Sequence, residues 1–253
     1  GILKNLIFDL KKKNFFIIKI YVGAGHYKKT KKNNSTVQEI LKDKLKIDFR
    51  VKNVLKKTKS LDILNFISNS VKEYSEVLNS EKPELVILLG DRYEILASTI
   101  SAHLSRIPVA HIHGGEVTHG AIDDAFRHSI TKMSHIHFVA NAIYKKRVVQ
   151  LGENPKNVYV VGGLGVDSIS KTNLLKKSEL EKKFNFKFNK TNFLVNFHPE
   201  TLNKNLAKKQ TRELLSALRQ LKNTSLIFTT PGADLESQIV VKLIKKFTLK
   251  SKN

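Results

Sequence analysis

Between residues 85 and 161 the hydrophobic pattern switches repeatedly between two periods, and this alternation constrains the fold more than any other feature. Residues 85–89 form an unbroken apolar run ended by Gly90, as a parallel strand covered on both faces should read. Helical spacing follows over 93–105, then a strand over 108–113, a helix over 123–134, a strand over 136–139, a helix over 142–151 and a strand over 158–161. Strands alternating with helices through short connections predict a parallel α/β sheet with helices on both faces. Upstream, Ile2, Leu3, Leu6, Ile7 and Leu10 lie at helical spacing. Residues 15–22 are a β-branched and aromatic run that reads as a strand, and 61–78 reads as an amphipathic helix closed by Pro83.

After Gly162-Gly163 the pattern weakens. Residues 171–192 are rich in Lys and Asn and read as an exposed linker with a short helix. A strand over 193–197, a helix over 204–221, a strand over 225–229 and a helix over 235–247 begin a second α/β unit. The expected division is an N-terminal domain over 1–168 and a partial C-terminal domain over 169–253, with the boundary near 168–172. The chain opens on a helix, not on the strand and glycine turn that start a doubly wound domain, and two strands are few for a second sheet. It therefore reads as a fragment of a longer protein, its first strand missing.

Composition removes whole classes of function. The absence of Cys excludes disulfides, thiolate nucleophiles and Cys-based zinc sites. No apolar run approaches the roughly 20 residues of a membrane helix, so no membrane partner and a cytoplasmic location are expected. The net charge of +23 raises nucleic acid as a partner. Only 7 of the 45 basic residues are Arg, however, and Lys together with abundant Asn is what an AT-rich coding sequence yields whatever the function. Residues 81–140 hold 5 basic and 7 acidic side chains, a net of −2, so the positive charge sits elsewhere and no nucleic-acid partner is expected.

In open α/β sheets ligands bind beyond the carboxyl ends of the strands, and the polar clusters occur there. Gly90, Asp91, Arg92, Tyr93 and Glu94 follow one predicted strand. Gly114, Gly115 and Glu116 follow the next, with Asp123, Asp124, Arg127 and His128 at the helix start beyond. Asp123 and Asp124 also suit a helix N-terminus for purely structural reasons. Asp91 and Glu116, each close behind a buried strand, point more directly to chemistry. Seven of the nine His lie in 103–137, and His111 and His113 alternate along a strand, the spacing of a metal pair. No further ligands stand at convincing spacing, so a His-rich metal-dependent hydrolase is the alternative from a different class. His198 follows the first strand of the second unit.

The segments GDRYE (90–94), HIHGGE (111–116) and IDDAFRHSITK (122–132) together resemble the hydrolysing UDP-N-acetylglucosamine 2-epimerases of sialic- and legionaminic-acid synthesis. GAGHYKK, STVQEI, NFHPET and TTPGAD fit the same family less tightly. The resemblance implies two Rossmann-like domains of the glycosyltransferase-B type with a UDP-sugar between them, a homo-oligomer (dimer or tetramer), and neither nicotinamide nor a catalytic metal. It implies anti elimination of UDP to a 2-acetamidoglucal, followed by hydration to the free manno sugar. Asp91, Glu116, Asp123 and Asp124 match the acid/base carboxylates. Arg92 and His198 match nucleotide contacts and His26 a sugar-side position, and Glu94, Arg127 and His128 join them as expected substrate contacts. A non-hydrolysing 2-epimerase or a glycosyltransferase of the same fold is the nearer alternative, although its GDT and GLRT segments are not found here. Two substrates remain open, UDP-N-acetylglucosamine and its 2,4-diacetamido-trideoxy relative. Because the family's first strand and its last phosphate loop lie outside 1–253, residues 1–253 alone are expected to be inactive.

Overall fold

The structure, a computed structural model, describes residues 1–23, 36–52, 55, 59–203, 206–231 and 236–250. They fall into two compact units, Gly1–Lys171 and Thr172–Asn253.

The first unit opens with helix α1 (Lys4–Lys11), strand β1 (Tyr21–Val22), helix α2 (Thr36–Lys42) and strand β2 (Phe49–Arg50). It continues with α3 (Ser60–Glu81), β3 (Val86–Leu89), α4 (Tyr93–Leu104), β4 (Val109–Ile112), α5 (Asp123–Lys132), β5 (Ile136–Val139), α6 (Ala142–Gln150), β6 (Val158–Val160) and α7 (Leu164–Ser170). Strands β3, β4, β5 and β6 lie in that order in one parallel sheet, with Leu89 opposite Ile112 and His111 opposite His137. This is the sheet that the alternation predicts.

Two local readings change. The strand expected over 15–22 is confined to Tyr21–Val22, which pair with β2. Ile17 is 93% exposed, because among the described residues no second strand covers that stretch. The strand buried throughout its length is β4, not β3. All four residues of β4 are buried between its two neighbours, whereas among the described residues β3 is an edge of its sheet and Ile87 is 38% exposed. An apolar run alone does not distinguish an edge from a centre.

Helix α3 presents Phe66, Ser70, Tyr74 and Leu78, spaced at four, as its buried stripe. Phe66 packs edge-to-face on Tyr93 of α4, ring centroids 5.7 Å apart, within a cluster that includes Val51 and Ala97. Leu78 joins Leu88, Ala102, Ile107 and Val109. Because α4 follows directly on Asp91 and Arg92, these clusters fix where that segment lies.

The second unit contains α8 (Lys177–Phe184), β7 (Thr191–Val195), α9 (Leu206–Leu218), β8 (Thr224–Phe228) and α10 (Ser237–Lys250), with β7 and β8 parallel. β7 ends two residues earlier than the sequence predicts. Beyond Val195, the Asn196 side chain accepts from the Thr229 hydroxyl at 2.9 Å, a side-chain bond where a ladder bond would continue.

Phe66→Ala empties the contact between α3 and α4 and is expected to cost about 3–5 kcal/mol of unfolding free energy. Urea titration should show the midpoint fall with an unchanged slope.

Candidate active site

β3 and β4 are adjacent parallel strands, so the segments behind them leave the sheet side by side. The ladder runs one residue past β3, because the Gly90 amide donates to the Ile112 carbonyl at 3.1 Å. Gly90 then turns with φ +88°, a conformation that glycine tolerates best, and Asp91 follows. The Gly90 carbonyl is held as well, by His111 Nε2 at 2.9 Å. A carbonyl only accepts, so Nε2 carries the proton, and Nδ1 lies 3.2 Å from Thr131 Oγ1, whose hydroxyl donates to the Arg127 carbonyl at 3.0 Å. His111 thus ties the turn before Asp91 to helix α5. Burial pushes its imidazole down from the usual 6.5 to about 4, despite the Gly90 bond. Burial also lowers His137, its neighbour across the sheet, against the opposing pull of Glu153.

Asp91 pairs with the Nη2 of Arg127. Arg127 is only 6% exposed; its guanidinium also meets Thr118 Oγ1 at 3.1 Å and lies 3.6 Å from Asp124. One buried cation therefore sits among two of the expected carboxylates. Asp124 accepts from the Thr118 amide at 2.7 Å and stands 3.6 Å from His128 Nε2. It acts as a clasp on the preceding loop. Asp123 occupies the first turn of α5, where a negative charge suits the helix dipole.

The second cluster forms behind β4. His113 Nδ1 meets Glu116 Oε1 at 2.6 Å. His113 has φ +68° and lies past the strand end, so it no longer alternates with His111. The spacing that reads as a metal pair is broken by this turn: His111 is committed to Gly90 and Thr131, and His113 to Glu116. Among the described residues no group of three His, Cys, Asp or Glu could hold a metal ion. The contact of His113 with Glu116 was not read from sequence; the i, i+3 spacing in HIHGGE is its only trace.

Arg92 occupies the N-cap position of α4, with its Nε 3.3 Å from both carboxylate oxygens of Glu94 and Nη2 3.1 Å from the Tyr93 hydroxyl. Glu94 is 5% exposed and lies beneath this arginine, which it orients. His198 is exposed, three residues beyond β7 in the second unit. His26 lies outside the described residues. No helix among the described residues is long and apolar enough to cross a membrane.

Comparison with known proteins finds a match to the family described as UDP-N-acetylglucosamine 2-epimerase over residues 9–252. The chain is 36% identical over 250 residues to the GDP/UDP-N,N'-diacetylbacillosamine 2-epimerase (hydrolyzing) of Campylobacter jejuni, covering 99% of this chain and 64% of the relative. It is 41% identical over 191 residues to the polysialic acid biosynthesis protein P7 of Escherichia coli, covering 75% of this chain and 49% of the relative. The chain thus spans less than two thirds of the length of these relatives. The crystal structure of UDP-GlcNAc 2-epimerase from Neisseria meningitidis bound to UDP-GlcNAc superposes with a TM-score of 0.75 at 20% identity, covering 99% of this chain and 67% of that one. The likeness gives the fold, parallel α/β of the glycosyltransferase-B type.

The buried imidazole of His111 makes stability depend on pH. Between about 4 and 6.5 the unfolded chain binds a proton that the folded chain refuses. The contribution is full above 6.5 and declines as pH falls toward 4, by on the order of 3 kcal/mol. Urea unfolding at a series of pH values should show this decline, and His111→Gln should flatten it.

Proposed function

The chain belongs to the UDP-N-acetylglucosamine 2-epimerase family, and from that premise we propose that it acts as a hydrolysing UDP-sugar 2-epimerase. The observation that carries this reading is the arrangement of carboxylates behind β3 and β4. Asp91 and Asp124 flank the buried Arg127, and Glu116 is held by His113. Inverting C2 requires a proton to leave one face of the sugar and another to arrive on the opposite face, so more than one acid/base group is needed.

In the proposed reaction a carboxylate takes the C2 proton while the C1–O bond to the diphosphate breaks. The electron pair of C2–H becomes the C1–C2 double bond, and UDP departs with the bridging oxygen. Positive charge that builds at C1 as the bond lengthens is stabilised by the remaining carboxylates. Water then adds at C1 and a proton at C2 from the other face, giving a free 2-acetamido-manno sugar. Arg92, oriented by Glu94, and His198 are assigned to the diphosphate, whose charge they oppose as it leaves. Asp91, Glu116, Asp123 and Asp124 are assigned to proton transfer. Arg127, whose guanidinium is buried against Asp91, holds that carboxylate in place instead of reaching substrate, and His128 stands beside Asp124 at the rim.

For the substrate, the names of the relatives from Campylobacter jejuni and Legionella pneumophila favour the diacetamido sugar, UDP-N,N'-diacetylbacillosamine, over UDP-N-acetylglucosamine. Incubation of the full-length protein with each UDP-sugar tests this choice directly.

Glu116→Gln and Asp91→Asn each keep size but lose the ability to take a proton. Each is expected to lower kcat by about two to four orders of magnitude with an unchanged circular dichroism spectrum. Either amide variant retaining most of its turnover would remove that residue from the proposed reaction.

A further inference from the structure

Arg147 lies outside every motif that marks the site, on a helix behind it. Helix α6 is fixed independently of the site: Asn141 caps it by accepting from the Tyr144 amide at 3.0 Å, and the fully buried Val148 packs with Val139 and Val158. One turn of this helix presses on the Gly114-Gly115 corner. A Cβ at Gly115 would stand 2.5 Å from the Tyr144 carbonyl oxygen and 2.9 Å from Val148 Cγ2, and Gly115 has φ +78°. From the same turn Arg147 donates Nη1 to the Gly115 carbonyl, with its guanidinium 5.8 Å from the centre of the Tyr144 ring.

That carbonyl belongs to the peptide whose nitrogen is Glu116's. A peptide unit is planar, so holding its oxygen fixes the plane from which the Glu116 side chain departs. The far end of the side chain is held by His113. Glu116 is thus constrained at both ends, at the backbone by α6 and at the carboxylate by β4's own continuation.

We infer that Arg147 is a positioning residue for Glu116, acting through the Gly115 carbonyl and touching no substrate. The inference rests on the reading of Glu116 as an acid/base group. Arg suits the task because its planar fork reaches a buried carbonyl with a fixed geometry that the single ammonium of Lys does not reproduce. A catalytic group displaced by about 1 Å loses on the order of a hundredfold in rate, which sets the scale of the effect.

The test is a double-mutant cycle in the full-length protein, with UDP-N-acetylglucosamine and UDP-N,N'-diacetylbacillosamine as substrates and release of UDP as the readout. Arg147→Met is expected to lower kcat by about 10- to 100-fold, with KM changed less than about threefold, since ground-state binding is left alone. Arg147→Lys should recover part of the loss. In the Glu116→Gln background Arg147→Met should cost less than about twofold, because there is no longer a base to misplace. A purely structural role would instead lower thermal stability and cost the same factor in both backgrounds, and that result, or an unaltered kcat, would overturn the inference. If Arg147→Met fails to fold, Arg147→Lys carries the same cycle with a smaller loss. A Glu116→Gln enzyme with full turnover would overturn both the inference and the role of Glu116. An impaired Glu116→Gln with additive effects of Arg147→Met would overturn the inference alone.

Discussion

The hydrogen bonds of His111 tie together the parts from which the candidate site is assembled. A polar side chain in the middle of a wholly buried strand must find partners on both ring nitrogens, and His111 finds them on the Gly90 turn and on Thr131 of α5. Asp91 follows the first and Arg127 lies one turn before the second. The pairing of Asp91 with Arg127 therefore closes a loop of contacts that begins at His111. Burial lowers the imidazole's pKa to about 4, which favours the neutral ring at neutral pH.

Around this node the site separates charge from constraint. Carboxylates and arginines stand at the carboxyl ends of β3 and β4, while the groups that hold them come from beneath and beside: Glu94 under Arg92, Arg127 between Asp91 and Asp124, His113 and α6 around Glu116. Preorganisation of this kind is what lets charged groups act on developing charge without first rearranging. The candidate carboxylates Asp91, Glu116, Asp123 and Asp124 all fall within residues 81–140, whose balance is acidic although the whole chain is basic.

Much of this was legible in the sequence, for physical reasons that differ by element. The order of strands and helices from β3 to β6 follows from hydrophobic period, which a buried sheet cannot violate. The placement of Asp91 and Glu116 behind β3 and β4 was legible because each follows an apolar strand run in the sequence, and strand ends in parallel sheets are where ligands bind. What the sequence did not reveal depends on three-dimensional neighbours. Whether residues 15–22 form a full strand depends on partners, and among the described residues the ladder with β2 takes in only Tyr21 and Val22. The helix α2, the two-residue strand β2 and the helix α7 are too short for a period to declare itself. His113 reads as the twin of His111 until its positive φ turns it toward Glu116. Arg127 reads as a ligand contact, and its burial against Asp91 could not be read from the sequence. His26 and most of the GAGHYKK segment lie outside the described residues, so their placement adds nothing to the account.

The central claim is that these carboxylates serve an elimination across C1–C2 followed by hydration, and the fate of the C2 hydrogen tests it most directly. In deuterated water the full-length protein should convert a UDP-sugar to UDP and a free 2-acetamido-manno sugar carrying deuterium at C2, read by mass spectrometry and proton NMR. A product that retains the original C2 hydrogen, or one that remains linked to UDP, would contradict the account.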